Sequence, residues 1–90
     1  MATVIVPSVL RSHSNFQSQI TIERTNLRDC LVELCRQYEG MTPYIFNTEH
    51  ALNPYINIYK NGQDTRRLDP LQIQLQPNDQ ITILLALAGG

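Results

Sequence analysis

The spacing of apolar residues changes period along this chain, and each change predicts an element. Thr3-Val4-Ile5-Val6 is a β-prone run stopped by Pro7-Ser8, with Val9-Leu10 carrying the strand on before the polar turn Arg11-Ser12-His13-Ser14-Asn15. Gln19-Ile20-Thr21-Ile22-Glu23 alternates polar and apolar, as a strand with one wet face does. Together these runs predict a β-hairpin. Leu27, Cys30, Leu31, Leu34, Cys35 and Tyr38 then fall on one helical stripe. Asn26 is suited to cap that helix, Asp29 lies in its first turn, and Gly40 stands where its C-terminus can close. Thr42-Pro43 predicts a single helical turn through Tyr44-Ile45-Phe46, and residues 47–53 read as loop.

Alternation returns in Tyr55-Ile56-Asn57-Ile58-Tyr59-Lys60. Asn61-Gly62 is the preferred pair for a type I′ turn, so Gln63-Asp64-Thr65-Arg66 should run back antiparallel. Leu68-Asp69-Pro70-Leu71 reads as a connector and Gln76-Pro77-Asn78-Asp79 as a turn into the last strand, Gln80 to Leu85. In that strand Ile81, Ile83 and Leu85 share one face, and Thr82, Leu84 and Ala86 the other. An order of two strands, one amphipathic helix and three strands implies a single mixed sheet packed on that helix.

Composition narrows the function classes. Ninety residues make one domain, and 42% apolar against 17% charged content is enough to fold. Seven basic and eight acidic residues are scattered, with no basic stripe, so neither nucleic acid nor a membrane surface is an expected partner. The N-terminal run has no basic region and is broken by Pro7, and no apolar stretch approaches about 18 residues; a cytoplasmic protein is expected. Cys30 and Cys35, five apart on one helix, lack disulfide reach and metal spacing and read as core residues. His13 and His50 read as loop histidines, and Arg66-Arg67 as a solvated pair. No catalytic triad, phosphate loop or zinc motif is present, and the single lysine, Lys60, provides poorly for polymers of the chain linked through lysine.

The end of the chain carries the chemistry. Beyond the last strand come Ala86, Leu87, Ala88, Gly89 and Gly90, and a terminal glycine pair delivers a carboxylate on backbone with no side chain beside it. The chain thus divides into a domain over 1–85 and an extended tail over 86–90. Five extended residues reach roughly 17 Å, enough to enter a narrow channel in a partner. Leu84 should point away from the helix, near Ala86 and the rings of Tyr55 or Tyr59, as an apolar partner patch beside the tail.

Hairpin, helix, hairpin-like pair and central final strand resemble the β-grasp fold of ubiquitin. Residues Ile56 to Arg66, with Asn61-Gly62 at their turn, resemble the strand–turn–strand of the ThiS/MoaD sulfur carriers. Asn78-Asp79-Gln80-Ile81-Thr82-Ile83, closing on Ala86-Leu87-Ala88-Gly89-Gly90, is similar to their final turn, strand and tail. Val6-Pro7-Ser8-Val9-Leu10-Arg11-Ser12-His13 is similar to the CysO-like branch that serves cysteine synthesis. One departure is Leu85, where such carriers often have proline; the exit angle of the tail is then less fixed.

The resemblance implies a carrier rather than an enzyme. A separate ATP-dependent adenylating sulfurtransferase would activate the Gly90 carboxylate, with no cofactor bound by the chain itself. Sulfur would replace AMP to give a thiocarboxylate, and a cysteine synthase would consume it, with a metalloprotease as a further partner. The molybdopterin synthase large subunit is the alternative acceptor, thiamin thiazole synthesis a more remote one. A ubiquitin-like protein modifier and a β-grasp interaction module are the competing readings.

Overall fold

Pairing follows the alternation just described. β1 (Ala2–Ile5) and β2 (Gln19–Ile22) run antiparallel with Val4 opposite Ile20, placing Ile20 and Ile22 inside and Gln19 and Thr21 outside. The computed structural model describes residues 2–47, 51–65, 68–69 and 72–85. His50, Arg66-Arg67, Pro70-Leu71 and the tail at 86–90 lie outside them.

The link between β1 and β2 corrects the sequence expectation. Val9-Leu10 does not prolong the strand; Ser8–His13 forms a 3₁₀ helix. Pro7 has no N–H for a ladder, its φ is −67°, and its carbonyl accepts the Leu10 N–H at 3.0 Å, which starts the turn. Leu10 is driven inside by the same winding.

α1 (Leu27–Gln37) packs the predicted stripe into one cluster with Val4, Ile58, Ile81 and Ile83. Asn26 caps it, its Oδ1 accepting the Asp29 N–H at 2.8 Å. Gly40 does not close it. The helix ends at Tyr38, whose N–H donates to Leu34 O, and Gly40 belongs to a 3₁₀ turn over Glu39–Met41. Its lack of a side chain serves another contact. A Cβ there would lie 2.6 Å from Nδ1 of His13, whose ring stands 5.3 Å from that of Tyr44. α2 (Thr42–Ile45) is the expected single turn.

β3 (Ile56–Lys60) starts one residue later than the alternation suggests, and β4 (Gln63–Asp64) returns through Asn61 (φ 50°) and Gly62 (φ 86°), the two left-handed residues a type I′ turn needs. β5 (Gln80–Leu85) enters the middle of the sheet, whose order is β2-β1-β5-β3-β4; β1 and β5 are parallel and every other pairing antiparallel. The chain thus has the mixed five-stranded sheet on one helix that defines the β-grasp. Ile73 and Leu75 complete the core, because residues 72–76 cross the start of α1, with Leu27 N–H bonded to Ile73 O and Leu75 N–H to Thr25 O.

Leu31→Ala and Leu34→Ala, both fully buried on α1, should each lower stability by about 2–5 kcal/mol in urea melts. Arg28 is half-buried, its guanidinium 5.8 Å from the Phe46 ring centre. Arg28→Ala should therefore cost about 0.5–1 kcal/mol, still well below either leucine.

Glu33 is a buried carboxylate that the stripe did not predict. It accepts Arg36 Nε at 2.9 Å, Gln37 Nε2 at 2.8 Å and Arg24 Nη2 at 2.8 Å. The Arg36 bond, then the Gln37 bond, hold its pKa down at about 2 against the opposing effect of burial. A carboxyl whose folded pKa is depressed stabilises the fold above its ordinary value and loses that contribution as pH falls through the folded one. The stability advantage of wild type over Glu33→Gln should therefore shrink between pH of about 4.5 and about 2. Urea midpoints measured across that window check it; a constant difference would contradict the network's role.

Candidate functional site

β5 carries the tail, and its first residues are held firmly. Pro77 and Asn78 (φ 75°) form the turn before it, with the Asp79 N–H donating to Gln76 O at 3.1 Å. The Asp79 carboxylate accepts the Gln76 N–H at 2.7 Å and Asn61 Nδ2 at 2.9 Å, while Asn61 Oδ1 accepts the Gln80 N–H at 2.8 Å. The Asn61-Gly62 turn and the start of β5 are thereby tied side chain to backbone. The Gln76 N–H above all, with Asn61 and then Lys60, holds the Asp79 carboxyl below the usual range. Lys60 Nζ lies 3.6 Å from Asp79 Oδ2 and donates to Gln74 O at 2.8 Å, so the only lysine is engaged inside this tie.

From that anchor β5 runs to Leu85, opposite Ile56. Its faces are as the alternation requires: Ile83 is 1% exposed and points at the helix, Leu84 is 44% exposed on the other side. Leu84 and Tyr59 share this outer face, but they are not direct neighbours across the ladder. Leu84 stands opposite Asn57 and Tyr59 opposite Thr82, so the apolar surface is a diagonal with a polar side chain between. Tyr55, 57% exposed, sits in the turn just before β3. Ala86, Leu87, Ala88, Gly89 and Gly90 lie outside the described residues.

Nothing else in the described residues forms a competing chemical centre. Among them no three His, Cys, Asp or Glu side chains gather as a metal site, and no helix is long and apolar enough to cross a membrane. Cys30 and Cys35 are free and buried, and burial raises the Cys30 thiol to about 11, far from a reactive thiolate. An open groove of about 600 Å³ between Phe46, Pro54 and Tyr55 lies beside the turn that precedes β3, shallow and without convergent charged groups. Sequence reasoning missed Asn53-Pro54 beside that groove, although Asn-Pro is a turn-initiating pair.

Comparison with known proteins agrees with this geometry. The model of the ThiS family matches residues 4–90. The chain is 30% identical to the sulfur carrier protein CysO of Mycobacterium tuberculosis over 90 residues, covering 98% of this chain and 97% of that protein. A chain of the BexX/CysO complex of Amycolatopsis orientalis superposes with a TM-score of 0.85 at 27% identity, with both chains covered completely. Small archaeal modifier protein 1 from Methanosarcina acetivorans does so with a TM-score of 0.87 at 26% identity, over 99% of this chain and 95% of that one. With the family match spanning nearly every residue and the β-grasp sheet in place beneath it, the chain belongs to the ThiS family.

Proposed function

We propose that this chain is a sulfur carrier that works through the Gly90 carboxylate and supplies cysteine biosynthesis. The observation that carries the reading is the near full-length similarity to CysO, together with a family match that continues through Gly90. In the proposed cycle a carboxylate oxygen of Gly90 attacks the α-phosphorus of ATP on an adenylating enzyme, and pyrophosphate leaves. Sulfide, supplied by a donor, then attacks the acyl carbon; the bond to AMP breaks and a thiocarboxylate remains. Its sulfur displaces the leaving group of an activated amino-acid substrate on a synthase, forming the new C–S bond. Hydrolysis of the resulting acyl link, the work of a metalloprotease, would return the carrier.

The chain's own part is presentation. Adenylation needs an unhindered carboxylate, which Gly89-Gly90 offers, and a body that docks in one orientation, which the pinned β5 and the outer face around Leu84 provide. Deleting the gene from its host should impose a cysteine requirement that wild type relieves and a chain lacking Gly90 does not. Loss of molybdoenzyme activity instead would move the acceptor to molybdopterin synthase.

The similarity to small archaeal modifier protein 1 favours one second reading, conjugation to other proteins. It predicts lysine residues elsewhere in the proteome that carry the Gly90 end after protease digestion. A host in which such adducts form while cysteine synthesis is unaffected would select it.

A further inference from the structure

Asn61-Gly62 is suited to its turn by shape and carries a chemical liability with it. The type I′ turn needs both residues left-handed, here at φ 50° and 86°, and asparagine followed by glycine meets that need at little cost. Nothing lies within 4 Å of a Cβ built on Gly62, so the glycine serves conformation and not space. The same pair is the one most open to cyclisation, because a glycine nitrogen next to an asparagine has no side chain beside it to hinder attack. Asn61 alone among the asparagines of the chain precedes a glycine, and both residues of the pair are exposed to water.

The fold directs the Asn61 amide elsewhere. Its Nδ2 donates to Asp79 Oδ1 at 2.9 Å, and its Oδ1 accepts the Gln80 N–H at 2.8 Å. The Asn61 N–H donates to Gln80 O at 2.8 Å, so residue 61 meets Gln80 through backbone and side chain together. The Asp79 carboxylate is itself fixed: it is 9% exposed, accepts the Gln76 N–H at 2.7 Å and has Lys60 Nζ 3.6 Å away. Cyclisation requires the amide to turn its carbon towards the Gly62 nitrogen. Both bonds to residues 79 and 80 oppose that rotation, and one of them ends on a charge.

We propose that Asn61 is a deamidation site kept closed by its tie to Asp79 and Gln80, and that its conversion releases the β3–β4 turn from the start of β5. The reaction needs only water. The Gly62 amide nitrogen, its proton lost to solvent base, attacks Cγ of Asn61; the bond to Nδ2 breaks and ammonia leaves, taking up a proton. Water then opens the five-membered imide at either carbonyl, leaving aspartate or isoaspartate. Aspartate puts a carboxylate oxygen where Nδ2 stood, 2.9 Å from Asp79 Oδ1, and Lys60 then faces two carboxylates in place of one. Isoaspartate adds a methylene to the backbone of a two-residue turn whose geometry has no room for it. Either product exchanges an attraction for repulsion or strain.

Timed incubation of the purified full chain near neutral pH, followed by peptide mapping in a mass spectrometer, reads the site directly. Conversion should run about tenfold slower, or more, than in an end-blocked peptide of residues 59–64, because the two bonds must open first. Wild type that converts as fast as the peptide would overturn the proposal. Asp79→Ala removes one bond and should speed conversion about fivefold or more. Leu34→Ala lowers global stability without touching the turn and should convert at the wild-type rate. An Asp79→Ala chain no faster than wild type, or a Leu34→Ala chain accelerated as much, would refute the tie as the source of protection. The consequence of conversion is read from Asn61→Asp, which should melt about 4 °C or more below wild type near neutral pH, a gap that salt should narrow. Asn61→Asp that melts with wild type would refute the release of the turn.

Discussion

Ile83→Glu should unfold this domain, and Leu84→Glu, one residue later, should leave it folded. Ile83 is 1% exposed and lies in the cluster beneath α1, where a glutamate would have to be ionised without a partner or protonated at a cost. Either way several kcal/mol are lost, together with the packing of the isoleucine, and a 90-residue domain has only about 5–15 kcal/mol to lose. Leu84 is 44% exposed, opposite Asn57, so a glutamate there stays in water. Its effect should appear in the complex, where the charge would be desolvated against the activating enzyme. Adenylation of Leu84→Glu should then need far more carrier to reach the same rate. Circular dichroism melts and initial adenylation rates separate the two. Leu84→Glu that melts like Ile83→Glu, or is adenylated as readily as wild type, would refute the docking face.

Part of this architecture is legible in the chain because single residues decide it. The helix stripe from Leu27 to Cys35 and the Asn26 cap reappear in α1, and Asn61-Gly62 turns as its φ requirements dictate. The opposition of Ile83 and Leu84 follows from the two-residue period of a strand. Other features depend on hydrogen bonds that the apolar pattern does not show. Val9-Leu10 is apolar and β-prone, but the backbone hydrogen bond from Leu10 to Pro7 commits it to a 3₁₀ turn. Glu33 flanks the apolar stripe of α1, and only Arg24 from before the helix, with Arg36 and Gln37, makes its burial tolerable.

Two omissions had a readable signal. Gln72-Ile73-Gln74-Leu75-Gln76 alternates as clearly as β2, yet it pairs only at the single bridge of Gln74 with Asn26 and so forms no long strand. Asn53-Pro54 is a turn pair whose consequence is that β3 starts only at Ile56, with the Tyr55 N–H turned to Asn53 Oδ1. The candidate site is thus half legible. The glycine pair and the outward leucine come from the sequence; the anchoring of β5 by Asn61 and Asp79 comes from the fold.

The largest effect of all is expected from the smallest deletion. Removing Gly90, or adding one residue after it, should abolish carrier chemistry while leaving the urea midpoint unchanged. The reacting carboxylate would be displaced by one residue, about 3.3–3.6 Å of extended chain, backward or forward, and activation tolerates neither. Glycine has no side chain to bury, so stability should not report the change. The direct test is intact-mass spectrometry of the purified chain after incubation with the cognate adenylating enzyme, ATP and sulfide. The carrier account predicts a species heavier by one sulfur-for-oxygen exchange at the C-terminus of wild type, absent from the chain lacking Gly90. Wild type that stays unmodified under those conditions, or an equal shift in the shortened chain, would contradict it.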